Sequence, residues 1–220
     1  MDAVLLQRLS QITEEERELL QGRGVDRALY ASGRAFEVDA AKMLEKGKLM
    51  SIRPHTRFAP FPRHSHNYVE IMYMCRGKTV HRIDGDALVT LEAGELLFLN
   101  RHASHAIQRA DAGDIAVNFI VLPQFFDEAF NMAGMDNVLS RFLLGELYTG
   151  GAAVSYLHFR VREVLPVQNL VENMVWTLVN RQPGARRINQ VTMGLLLLQL
   201  MHYTECIDMS RNGSIRSPMV

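Results

Sequence analysis

From Leu49 to Leu122 the sequence turns back on itself at short intervals, and this pattern constrains the chain more than any other feature. Arg76-Gly77-Lys78, Asp84-Gly85, Glu92-Ala93-Gly94-Glu95 and Asp111-Ala112-Gly113-Asp114 are all turn signals. Aspartate followed by glycine is the strongest hairpin signal of the set, because glycine reaches the backbone angles such turns need. Between the turns lie short apolar segments: Val69 to Met74, Thr79 to Ile83, Ala87 to Leu91, Leu96 to Leu99, His105 to Arg109 and Ile115 to Leu122. Pro54, Pro60 and Pro62 keep the approach to them extended. Short strands at this spacing predict a sandwich or a small barrel.

Both flanks read as helical. Residues 2 to 21 read as an amphipathic helix or helix pair, with Thr13 and Glu16 spaced as a capping box and Gly22 and Gly24 as the stop. Residues 25 to 47 carry little pattern beyond a short helical segment at Ala40 to Glu45. After Pro123 the apolar spacing becomes helical at Phe125 to Met132 and at Leu139 to Leu147. Ala153 to Phe159 reads either as a strand or as the lead-in to a helix over Val167 to Val179, which starts just after Pro166. Asn189 to Tyr203 is apolar over more than half of its circumference. Such a helix buries two sides, one against its own domain and one against a partner, so Leu195, Leu198 and Met201 are candidates for a dimer seam as well as for the core. The tail from Asp208 reads as linker. The expected division is a helical extension over 1–47, a β domain over 48–122, a helical region over 123–206 and a linker over 207–220.

Charge and cysteine content narrow the function classes. The chain has 220 residues, with 24 basic and 24 acidic side chains that cancel. A protein that neutralises nucleic-acid phosphates usually carries a basic excess, which is absent from the total here. Cys75 and Cys206 are too few for a disulfide scaffold and fit the reduced thiols of a cytoplasmic protein. No signal peptide is visible. The longest apolar block, Met193 to Met201, is interrupted by Gly194 and Gln199 and is too short to span a bilayer, so no membrane association is expected.

The chemistry-bearing stretch is Pro62 to Gly77. His64 and His66 alternate on an extended segment and so share a face, and Glu70 has the same parity if the strand runs on. His105 lies where a returning strand can meet them. Imidazoles and one carboxylate suit a divalent ion of the Zn, Ni, Fe or Mn kind. The same groups equally suit an exposed strand start with a salt bridge, or a pocket that hydrogen-bonds an organic ligand. Arg53 and Arg63 fall near the mouth of such a pocket, and Tyr73 and Phe98 divide by parity between core and interior. Ser104-His105 lacks any partner that would make it a hydrolytic pair, and no catalytic residue is assigned.

The spacing His64-x-His66-x3-Glu70-x6-Gly77 resembles the first cupin motif residue for residue. Gly85 and Gly94 through to His105 resemble the second, although Asn100-Arg-His-Ala-Ser stands where that motif has its proline, and no asparagine follows four residues after His105. Together with the two consecutive helices after it, the chain resembles the N-terminal effector-binding and dimerisation part of AraC-type transcriptional regulators. The resemblance implies a mostly β fold with α, a double-stranded β-helix (cupin, jelly-roll) barrel followed by a helical dimerisation region. It implies a small-molecule effector, sugar-like in some members; the candidates to hold it are the motif residues His64, His66, Glu70 and His105, with Arg53, Tyr73 and Phe98 added by their strand positions. It also implies a homodimer, and DNA binding only through a C-terminal region outside this chain; no cofactor is required, and one divalent metal is an option on His64, His66, Glu70 and His105. The rival expectation is a metal-dependent cupin dioxygenase or isomerase with a three-histidine, one-glutamate centre.

Overall fold

The computed structural model describes residues 1–33, 35–149, 151–203 and 214–215. The turn signals produce two facing sheets. The first has five strands in the order β1 (Glu37–Val38), β3 (Phe61–His66), β8 (Ser104–Ile107), β5 (Lys78–Ile83) and β6 (Ala87–Glu92). The second has six, in the order β13 (Ser214–Ile215), β12 (Tyr156–Phe159), β7 (Leu96–Leu99), β4 (Val69–Arg76), β9 (Ile115–Val121) and β2 (Met50–Pro54). Asp84-Gly85 turns β5 into β6, whose register runs from Lys78↔Glu92 to Ile83↔Ala87. A small hairpin pairs β10 (Tyr148–Thr149) with β11 (Ala152–Ala153).

The expected jelly-roll barrel is corrected by this topology. Neither sheet closes on itself: β1 and β6 are edges of one, β13 and β2 are edges of the other. The physical reason lies in the second sheet, which is apolar on both faces. Met72, Met74, Leu97, Leu99 and Ile120 face the first sheet. Ile71, Tyr73, Phe98, Val117 and Phe119 face the other way and pack against helices. A sheet covered by a sheet on one side and by helices on the other buries its apolar surface without closure. The result is a mixed α/β, layered molecule.

The helices are α1 (Ala3–Leu9), α2 (Glu14–Leu20), α3 (Ala40–Met43), α4 (Asp127–Ala133), α5 (Val138–Leu143), α6 (Leu165–Val179) and α7 (Ala185–Met201); α1 and α4 to α7 pack with the outer face of the second sheet, whereas Ala40 of α3 joins the core between the sheets. Thr13 and Glu16 form the expected capping box at the start of α2. Helix α7 begins four residues before the expected Asn189, because Ala185, Arg186 and Arg187 propagate helix well and Gly184, at φ 73°, supplies the left-handed entry. Its buried side carries Met193, Leu196, Leu197 and Leu200; Leu195 is 43% exposed, and Leu198 and Met201 are half-buried. No helix among the described residues is long and apolar enough to cross a membrane. The expected linker and Cys206 lie outside the described residues, apart from Ser214–Ile215, which pairs in parallel with β12.

Candidate functional site

The site forms where strand parity and a change of sheet meet. His64 and His66 sit two apart on β3 and point between the sheets, 5% and 1% exposed. Strand β8 returns with His105 as the direct cross-strand partner of His64, and their ring centroids lie 4.2 Å apart. The chain then leaves the first sheet at Asn67-Tyr68 and enters the second as β4. Glu70 therefore arrives from the opposite sheet, not from a continuation of the same strand. Its Oε2 stands 3.5 Å from the Nε2 of both His66 and His105, which are themselves 3.2 Å apart.

The orientation of these groups is fixed by their neighbours. His64 Nδ1 lies 2.9 Å from the Pro62 carbonyl, which can only accept; the proton is therefore on Nδ1, and Nε2 is left as a lone-pair donor. Asn118, on β9, donates its amide to Glu70 Oε1 at 2.9 Å. The motif glycine, Gly77, turns β4 into β5 at φ 80°, and a Cβ there would collide with the Asp114 carboxylate.

Two further histidines extend the cluster. His81 on β5 stacks on His105 at 5.8 Å, and its Nε2 meets Thr79 Oγ1 at 2.8 Å. His55, just beyond β2, lies 6.0 Å from His81. Among the described residues the buried side-chain atoms without a hydrogen-bond partner are His55 Nε2, His66 Nδ1, Glu70 Oε2, His81 Nδ1, His105 Nδ1 and Asn118 Oδ1. All belong to this one cluster. Each such atom costs about 1–3 kcal/mol when left unpaired, so their concentration marks a place built for a polar occupant.

Burial sets the charge states. It pushes the imidazoles of His55 and His64 down to about 4, and holds His66, His81 and His105 well below the usual histidine range. Burial pushes the Glu70 carboxyl up to about 7, against the lowering effect of the Asn118 amide and the Arg53 charge. The close His66–Glu70 and His105–Glu70 contacts are thus contacts of neutral imidazoles rather than ion pairs. Neutral imidazoles are the form that ligates metals. One nitrogen from each of His64, His66 and His105 lies within 4.8 Å of the others, and the orphaned Glu70 Oε2 completes a donor set that fits one divalent transition metal.

A cavity of about 40 Å³ adjoins the cluster, bordered by Arg53, His55, His64, Tyr68, Glu70 and Asn118. Arg53 stands at its mouth with its guanidinium 4.9 Å from the Tyr30 ring centre and 3.2 Å from Glu15 Oε2. Arg63 lies on the outside, bonded to Ser104 Oγ. Tyr73 and Phe98 are not brought to the cavity. Tyr73 is one residue out of phase with Glu70, faces the helices and donates its hydroxyl to Gln168 at 2.6 Å. Phe98 packs edge-on against Phe159 at 5.3 Å in the same layer. Leu195, Leu198 and Met201 lie on α7, in the helical layer outside the second sheet.

Sequence reasoning missed His55 and Asn118. Asn118 did carry a signal, as the lone polar residue in the strand Ile-Ala-Val-Asn-Phe-Ile-Val. His55 carried none, because it lies beyond the motif and reaches the cluster only through the pairing of β2 with β9.

Residues 51–130 match the model of the AraC-like ligand binding domain. No curated protein matches the chain. Among solved structures, apo ToxT K231A from Vibrio cholerae strain SCE256 superposes with a TM-score of 0.55 at 11% identity, over 77% of this chain and 62% of that one. The chain thus spans about three fifths of the length of that relative. Wild-type ToxT with bound unsaturated fatty acid gives a TM-score of 0.48 at 11% identity, over 77% and 57% of the two chains. A cupin protein from Bacteroides fragilis is 28% identical over 33% of this chain and 64% of its own, with a TM-score of 0.28. The family match thus covers the strands that carry the histidine cluster, and the likeness to apo ToxT is one of fold.

Proposed function

We propose that this chain is the effector-sensing part of a transcriptional regulator, with a small molecule bound between the sheets controlling a DNA-binding region outside it. The observation that carries this reading is the gathering of unpartnered buried polar atoms beside a small cavity, within the family-matched residues. Asn118 Oδ1 is an unpartnered acceptor beside the cavity, so the occupant brings a donor, as a hydroxyl-bearing effector does. His64, His66, His105 and Glu70 would hold a divalent metal. When bound, that ion supplies a Lewis-acidic position for an effector oxygen. The imidazoles, neutral and buried, hold that position dry, and Asn118 keeps Glu70 turned toward it.

The reading is tested by elemental analysis of protein prepared without chelator, followed by thermal-shift screening of small hydroxylated compounds. About one ion per chain is expected from a single site of this donor set, and the double variant His64→Ala/Glu70→Ala should lose it. A compound that stabilises the wild type but not the double variant supports sensing. Turnover of such a compound by the metal-loaded protein would overturn the reading in favour of an enzyme.

A further inference from the structure

A second and much larger hollow lies away from the histidine cluster. It is a cleft of about 650 Å³ between the β2 edge with its preceding loop and the facing ends of α6 and α7. We propose that this cleft binds an amphipathic organic anion: a compact apolar body carrying one sulfonate or carboxylate.

Three observations lead there. The volume falls in the range of about 300–1,000 Å³ typical of small-molecule pockets. The floor is apolar, built from Leu9, Met50, Ile52, Phe125, Leu178 and Val179. The rim is basic: Arg8, Lys48, Arg181 and Arg186 stand against a single carboxylate, Glu45. That carboxylate is already shared between Lys48 at 2.7 Å and Arg181 at 3.9 Å. An apolar floor under a cationic rim is complementary to a molecule with an apolar body and an anionic end, and to neither a neutral lipid nor a cation.

The backbone adds to the argument. Arg181 holds φ at 49°, a left-handed conformation at the end of α6 that normally selects glycine. Glycine is easier at such a position, so Arg181→Gly removes a rim charge without straining the chain.

Anilinonaphthalene sulfonate serves as the probe, with its uncharged parent naphthylamine as the control, and the single tryptophan, Trp176, beside the cleft residue Thr177, gives a second readout. The sulfonate should bind with about one equivalent per chain, as one cleft predicts, more tightly than the neutral parent, and less tightly as salt rises. Arg181→Gly relieves the backbone, so it should fold normally; combined with Arg186→Glu it should weaken binding roughly tenfold. His64→Ala should leave binding unchanged, which separates this site from the metal cluster. Equal affinity for the neutral parent, or unchanged affinity in the double variant, would overturn the proposal.

Discussion

At the scale of single residues, the site is an exercise in parity. His64 and His66 share a face because they are two apart, and Glu70 joins them only because the chain changes sheet between them. Tyr73, three residues beyond Glu70, is on the other face and belongs to the helix-packed core. The charge states follow from burial and make a testable pH dependence in the metal-free protein. The histidines have folded-state values below their unfolded value of 6.5, so their contribution is present above that pH and is lost as pH falls toward about 4. Glu70 runs oppositely: its folded value, about 7, lies above its unfolded 4.5, so its share is present at low pH and lost as pH rises through 7. With five imidazoles against one carboxyl, urea midpoints should drop steeply between pH 6.5 and 4. A chain whose midpoint is flat over that range would show that the imidazoles are hydrated, not buried.

At the scale of elements, the N-terminal helices are held by one buried ion pair. Glu16, 1% exposed and at the N-terminal turn of α2, takes Arg57 Nε at 2.7 Å and Nη2 at 2.9 Å. Arg57 also reaches the carbonyls of Ser10, Gln11 and Ala112, so a single guanidinium ties the α1–α2 connection to the strands. Hydrogen bonds from Thr13 and both parts of Arg57 hold the Glu16 carboxyl below the usual range, although burial alone would raise it. Removing one partner strands the other in a low-dielectric site, at a cost of about 3–5 kcal/mol. Glu16→Ala should therefore lower the denaturation free energy by about that amount in equilibrium unfolding. A loss within about 0.5 kcal/mol, the range of ordinary surface changes, would place the pair in solvent. The capping box was legible in sequence because its partners are three residues apart; the Glu16–Arg57 pair was not, because nothing local links residues so distant.

At the scale of the whole molecule, two open sheets and a helical layer replace the barrel. Helix α7 leaves Ile188, Val191 and Leu195 exposed along one stripe, at 38%, 38% and 43%. Positions three and four apart share a helix face, so these side chains form one apolar stripe. If this stripe pairs two copies, Leu195→Asp should yield a folded monomer in sedimentation velocity, with far-ultraviolet circular dichroism unchanged. A variant that sediments as the wild type does would remove α7 from the interface. The stripe also explains why the sequence reads α7 as apolar over more than half its circumference: one side is core and the other is left open.

Local pattern alone determined the turns, the strand positions, the helical character and capping box near the N-terminus, and the shared face of His64 and His66. Each of these depends on neighbours within about a turn of helix or a hairpin of one another, and such signals survive in one dimension. Only the tertiary structure decided that the sheets stay open, since helices arriving a hundred residues later cover the second face. It likewise decided that Glu70 crosses to a different sheet from His64, that His55 and Asn118 join the cluster, and that Tyr73 and Phe98 do not. These outcomes depend on which strands pair and which faces are covered, and long-range pairing is written in no single stretch of the chain.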